Sequence, residues 1–141
     1  IRMFPSDANP AGNVFGGAIL KHIDMVAGIV AQRHSQTNAV TVSMDKISFL
    51  KPVFVGNVLF VTARVNYVQK SSMEIEVNVE AEDISKGTRV LTGNAFVTFV
   101  ALDANGKPAP VPQLRVENPE DQKHFDEGKL RMEGRLKQRK N

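Results

Sequence analysis

Pro10-Ala11-Gly12-Asn13-Val14-Phe15-Gly16-Gly17, running directly into residues 18–34 with Asp24 among them, decides how this chain is read. Within 18–34, Ile19, Ile23, Val26 and Val30 recur at helical spacing, and Leu20, Ala27 and Ala31 widen the stripe. That pattern predicts one long helix with little solvent-facing surface. Two glycines at a helix start leave backbone N–H groups without intrahelical acceptors and without side chains in front of them. Such a place favours a developing negative charge. Asp24 follows two turns later at the edge of the apolar stripe, beside the small residues Ala27 and Gly28, where a carboxylate can serve as a general base. N–H donors and a base are the minimum equipment for splitting an ester or thioester without a serine or cysteine nucleophile.

Beyond the helix the period changes from helical to alternating. Residues 39–50 carry Val40, Val42, Met44, Ile47 and Phe49 and stop at Lys51-Pro52. Residues 58–68, 73–81 and 88–102 continue as strands, separated by turns at 55–57, 69–72 and 85–87; Asn105-Gly106 closes the last. In 73–81 the alternation is clean, with Ile75, Val77, Val79 and Ala81 against Glu74, Glu76, Asn78 and Glu80. Four strands in series with short connections predict an antiparallel meander with the helix laid on one face, an α+β fold. Pro108, Pro110 and Pro112 keep the next segment extended, and a polar helix is expected from Pro119 to Lys140. The expected organisation is one domain over 1–117 and a basic helix or tail over 118–141.

Composition sets limits. At 141 residues, 42% hydrophobic and 23% charged, the chain has the make-up of an ordinary globular domain. It contains no Cys, so disulfides, thiolate metal sites and a cysteine nucleophile are excluded, in keeping with a cytoplasmic location. No apolar run reaches the ~18–20 residues of a membrane span, and neither membrane nor nucleic acid is an expected partner. The first residue is Ile and the key motif lies close to it, so a short preceding piece is expected. The net charge of +3 is uneven: residues 129–140 hold six Lys/Arg against Glu133 alone. A basic tail can attract nucleic acid, acidic lipid or a phosphate-rich cofactor, but a solvated helix end is the favoured explanation. His22, His34 and His124 are scattered, without metal-ligand spacing, and read as surface or helix-end residues. No G-x-S-x-G elbow, Walker loop or G-x-G-x-x-G is present.

The stretch Phe4-Pro5-Ser6-Asp7-Ala8-Asn9-Pro10-Ala11-Gly12-Asn13-Val14-Phe15-Gly16-Gly17, then Ile23-Asp24-Met25-Val26-Ala27-Gly28, resembles the acyl-CoA thioesterases of the hotdog superfamily. The group in question is the bacterial acyl-CoA hydrolases related to the two-domain cytosolic enzymes of mammals. Val40-Thr41-Val42-Ser43-Met44-Asp45, Phe49-Leu50-Lys51-Pro52, Lys70-Ser71-Ser72-Met73-Glu74-Ile75 and Pro110-Val111-Pro112-Gln113-Leu114 extend the likeness, in order, over nearly the whole chain. The resemblance implies a hotdog fold, in which an antiparallel sheet wraps a long central helix. It implies hydrolysis of acyl-CoA to a free acid and CoA in fatty acid metabolism, without metal or organic cofactor. It makes Asp24 the catalytic carboxylate and gives Asn13 to the same site. It also implies dimers with shared sites, Asn13 and Asp24 of one site coming from different subunits, and assembly into trimers of dimers.

On that basis Gly17, with Gly16, supplies the oxyanion donors, and Asp24 acts as general base or as nucleophile through a mixed anhydride. Asn13 orients water or carbonyl. Lys70, Ser71 and Ser72, in a strand-connecting turn, grip CoA phosphates or pantetheine, helped by Arg89 or a tail residue, while Thr41 and Ser43 line the site. Taken singly, each has a plainer reading: Asp24 a solvated helix carboxylate, the glycines a turn, Asn13 a cap, Lys70-Ser71-Ser72 a polar hairpin. The competing functions are a non-catalytic acyl-CoA-binding regulatory module and a hotdog dehydratase or hydratase. The latter needs a catalytic His that no histidine here supplies.

Overall fold

A computed structural model describes residues 1–140, with side chains through Lys137; Asn141 and the side chains of Arg139 and Lys140 from the basic tail lie outside the described residues. The elements are a 3-10 turn at Pro5–Asp7, then α1 (Gly16–Ser35), β1 (Asn38–Phe49), β2 (Val58–Gln69), β3 (Ser72–Asp83), β4 (Thr88–Leu102) and α2 (Pro119–Lys140).

All four strands join one antiparallel sheet, in the order β1-β4-β3-β2. This corrects the serial meander. β2, β3 and β4 do follow one another through tight turns, but β1 lies at the far edge beside β4. The reason is the segment between β1 and β2. Pro52 interrupts it, and its backbone is engaged by the N-terminal loop: Val14 N–H donates to the Val53 carbonyl (2.7 Å), and Met3 N–H to that of Asn57 (2.9 Å). A segment tied to the N-terminus in this way cannot fold back as a hairpin.

α1 packs along one face of the sheet and meets every strand. Ile19, Ile23, Ala27 and Ala31 form its buried stripe, against Met73, Ile75, Val77 and Val79 of β3 and Val97 and Phe99 of β4. Each fully buried branched side chain contributes roughly 1.5–3 kcal/mol. Ala27 and Ala31 expose nothing, and their small size brings the helix axis close to the central strands.

The opposite face of the sheet is polar, and α2 lies across part of it. Asn118 caps α2 by accepting from Asp121 N–H at 2.8 Å, with Pro119 at the first helical position. The helix is fastened by charge. Arg131 makes a two-pronged bond to Glu74 (2.9 and 2.7 Å) and stacks 3.8 Å over the Phe96 ring, and Arg64 reaches Asp121 at 2.8 Å. Burial opposes the charge on Arg131, but the bond to Glu74 outweighs it and holds its pKa above the ordinary arginine value. Gly128 is obligatory here, because a Cβ would stand 2.8 Å from that of Tyr67.

Candidate active site

The loop before α1 is built around Asn9. Its side-chain oxygen accepts from Ala11 N–H (3.0 Å) and Asn13 N–H (3.1 Å), and its own N–H donates to the Asn13 carbonyl (2.7 Å). Gly12 closes the turn at φ +89°. Phe15 N–H is held by the Asp7 carbonyl at 2.7 Å. The chain thus enters α1 in one orientation, with no side chain capping its N-terminus. Among the described residues, the amides of Gly16 and Gly17 have no acceptor. The Phe15 ring lies over Gly17, so a Cβ there would come within 2.2 Å of that ring and displace it. An open cleft of about 300 Å³ reaches Gly16, lined by Asn9, Asn13, Gly16 and Ile19 on one side and by Phe49–Val53 on the other.

Asp24 stands elsewhere. It is half-buried on the flank of α1 that faces β1, and its Oδ1 accepts from the Thr41 hydroxyl at 2.7 Å. Eight residues of helix separate it from Gly16, about 12 Å along the axis. A carbonyl held by the Gly16–Gly17 amides is therefore out of reach of Asp24 in the same chain. Between them runs the unpaired edge of β1, which exposes Val40, Val42 and Phe49, while α1 exposes Met25 and Ile29.

The other expected site residues divide. Asn13 lines the cleft, and Thr41 touches Asp24. Ser43 does not share their face. β1 bulges between Thr41, opposite Phe99, and Ser43, opposite Thr98, so side-chain parity flips. Ser43 points to the outer face, where it donates to Asp45 and accepts from Arg135. Lys70, Ser71 and Ser72 do form the β2–β3 turn, with Lys70 at φ +53°. They lie toward the C-terminal end of α1, where Val111 N–H bonds the Lys70 carbonyl and His34 the Pro112 carbonyl. Arg89 does not join them. It pairs with Glu82 in the sheet, roughly 33 Å along β3 from Ser72. There it binds Glu80 and stacks over Phe60.

The histidines are less ordinary than expected. His124 sits between α2 and the sheet, 3.4 Å from Glu76, and His22 buries an unpartnered Nδ1. No group of three or more His, Cys, Asp or Glu among the described residues is arranged to hold a metal ion. Sequence patterning passes over Asn9, whose side-chain nitrogen, among the described residues, has no protein acceptor and stands beside the cleft. The Asn-Pro step at Asn9-Pro10, a turn initiator, was the available signal.

The family model described as "Thioesterase superfamily" matches residues 11–88. The uncharacterized acyl-CoA thioester hydrolase YkhA of Bacillus subtilis is 43% identical over 120 residues, covering 85% of this chain and 70% of that protein. The cytosolic acyl coenzyme A thioester hydrolase of Rattus norvegicus is 44% identical over 129 residues, 90% of this chain and 34% of the relative, so the chain spans about a third of that protein. An acyl-CoA hydrolase from Staphylococcus aureus, solved with butyryl coenzyme A, coenzyme A and coenzyme A disulfide, superposes with a TM-score of 0.90 at 36% identity, covering 99% of this chain and 85% of that one. A hexameric acyl-CoA thioesterase gives 0.93 at 35% identity, covering 98% and 88%. The S. aureus hydrolase has also been solved with an asparagine, an aspartate and a threonine each replaced by alanine, the asparagine fifteen residues before the aspartate and the threonine seventeen after it.

Proposed function

We infer that this chain, which belongs to the thioesterase superfamily and has its hotdog fold, hydrolyses acyl-CoA thioesters to a free carboxylic acid and CoA. One observation carries the reading. Asn9, Asp24 and Thr41 have the residue types and the spacings, fifteen and seventeen, of the three positions replaced in the S. aureus hydrolase, and Asp24 is hydrogen-bonded to Thr41.

The Thr41 hydroxyl occupies Oδ1 of Asp24, orients the carboxylate and leaves Oδ2 free. Oδ2 takes a proton from water as the water oxygen attacks the thioester carbon. The carbonyl oxygen becomes an oxyanion at the N-terminus of α1, facing Gly17 N–H with Gly16 N–H beside it. Collapse breaks the C–S bond, and the departing thiolate takes the proton from Asp24, giving acid and CoA thiol. Asn9, its oxygen pinned by two backbone amides, offers its NH₂ to the carbonyl or the water; Asn13 stands on the same wall as a second polar group. The alternative, in which Asp24 attacks and water then cleaves a mixed anhydride, is distinguished by one turnover in ¹⁸O-water. Label in the released acid alone supports the base route, and label in Asp24 the anhydride. No step requires a cofactor.

The 12 Å gap makes this a two-chain site. Two copies pairing along the free β1 edges form one continuous sheet, lay their α1 helices antiparallel and bury Val40, Val42 and Phe49. Asp24 of one copy then serves the Asn9–Gly17 loop of the other. The Lys70-Ser71-Ser72 turn, toward the far end of α1, comes to the same side as the second copy's loop, in position for CoA phosphates. Three such dimers make a hexamer, and the location is cytoplasmic.

Thiol release from a panel of acyl-CoAs tests the function. Replacing Asp24 by Asn should lower kcat by about 10²–10⁴. No turnover of any acyl-CoA by the wild-type protein sinks the reading, and full activity of Asp24→Asn removes Asp24 from it.

A further inference from the structure

We propose that the cleft between α2 and the outer face of the sheet binds a small organic carboxylate, with Arg135 as its anchor. This cavity of about 430 Å³ is floored by Phe96 and Thr98, walled by α2 from Leu130 to Arg135, and rimmed by Asp45 and Lys46. It is separate from the proposed catalytic cleft, which lies on the α1 side of the sheet.

Two arginines one helical turn apart reveal what the cavity lacks. Arg131 has its Nε and Nη2 fork filled by Glu74. Arg135 presents the same fork and has no carboxylate among the described residues. Its Nη1 donates to the Ser43 hydroxyl at 3.2 Å and its Nη2 to the Met132 sulfur at 3.7 Å, while its Nε is buried with no acceptor. The nearby carboxylate, Asp45, accepts from Ser43 instead (2.9 Å). A part-buried guanidinium without a counter-ion is costly to keep, because lost hydration is not replaced.

The charge of the lining selects the ligand. Lys46, Arg131 and Arg135 face Asp45 and Glu74, an excess of one positive charge. A monoanion balances it; a phosphate dianion overshoots. Phe96, Leu130 and Met132 add an apolar wall for a short alkyl chain. An alkyl carboxylate fits both halves, its head on Arg135 and Lys46 and its tail along α2. The carboxylate as probe coincides with the product class of the inferred hydrolysis, but the site itself does not depend on that activity.

Octanoate titrated into the full-length protein, followed through the Arg135 Nε–H resonance, is the direct test. Saturable movement of that signal is expected, with none on adding octan-1-ol. Gly134 lines the cavity, and a Cβ there meets nothing within 4 Å, so Gly134→Leu adds apolar bulk at the site from a position with room for its Cβ. Gly134→Leu and Arg135→Gln should each weaken octanoate binding tenfold or more by calorimetry while acyl-CoA turnover persists. An Arg135 signal unmoved at saturating octanoate overturns the proposal, whether a neighbouring copy's carboxylate already fills the fork or the acid binds elsewhere. Unchanged affinity in both variants does the same. Tighter binding of octyl phosphate than of octanoate overturns the choice of a monoanion. If the wild-type protein hydrolyses no acyl-CoA yet octanoate still moves Arg135, the hydrolase reading fails and this one stands.

Discussion

The two faces of the sheet hold their helices by opposite means. The inner face meets α1 through Ile75, Val77, Val79, Val97 and Phe99, residues with essentially no exposure. The outer face meets α2 through Glu74–Arg131, Arg64–Asp121 and Glu76–His124, with Met132 the buried apolar residue of that helix. Apolar burial has no direction and tolerates loss poorly. Paired charges are directional, and what matters is whether each partner stays matched. The inner face therefore carries the fold and the inferred chemistry, and the outer face carries a helix held by ion pairs and by the edge-to-face contact of Tyr67 with Phe125.

The sharpest break of this contrast is a mixing experiment on the inner face. Asp24→Asn and Asn9→Ala should each be nearly inactive alone. Unfolded together and reassembled, they should recover roughly a quarter of wild-type activity, because half the random dimers carry one intact site. No recovery would show that donors and base act within one chain. Next in size is Ile75→Ala, expected to cost 2–5 kcal/mol in denaturant unfolding, whereas an exposed residue of α2 such as Leu130→Ala should cost under about 1 kcal/mol.

On the outer face, Glu74→Ala leaves Arg131 buried without its partner and should cost about 3 kcal/mol, with hydrogen exchange rising in α2 before the sheet. Converting both residues, Glu74→Leu with Arg131→Met, should return close to wild-type stability; an equally large loss in the double variant would make the pair a true source of stability. The smaller Arg64–Asp121 bridge, partly exposed, should contribute under 1 kcal/mol and fade with salt. Smallest is the Asp83 turn. Hydrogen bonding from the Ser85 hydroxyl lowers the Asp83 pKa against slight desolvation, with the Lys86 and Ser85 amides adding to the effect. A folded pKa below the unfolded one means its contribution is present above the ordinary carboxylate range and lost as the pH falls through the folded value. Asp83→Asn should flatten that acid limb by removing the small neutral-pH contribution, leaving stability below the folded pKa nearly unchanged.

Much of this was open to reading in the residues. The helix at 16–35 and the four strands are local patterns of side-chain period, and each strand falls within a few residues of its expected span. Thr41 meets Asp24 only through the packing of β1 against α1, whereas the bare amides of Gly16 and Gly17 also follow from local identity. Ser43 did not, because the bulge that turns it outward is a property of the β1–β4 pairing and not of Val42. Arg89 did not, because two residues that both carry suitable chemistry can lie at opposite ends of one strand pair. Asn9 was hidden by its neighbour: Asn13 sits closer to the glycines in sequence, while it is Asn9 whose side chain the loop pins in place.

By itself the sequence determined the element types, the apolar stripe of α1 and the residue types that the inferred hydrolysis draws on, since these depend on the spacing and identity of near neighbours. Tertiary structure alone decided that β1 closes the sheet beside β4, that Asp24 and the α1 N-terminus stand too far apart to serve one carbonyl, and that Arg135 has, among the described residues, no carboxylate such as Arg131 enjoys. Those are matters of long-range register and of which groups finally meet across the sheet, and no local period encodes them.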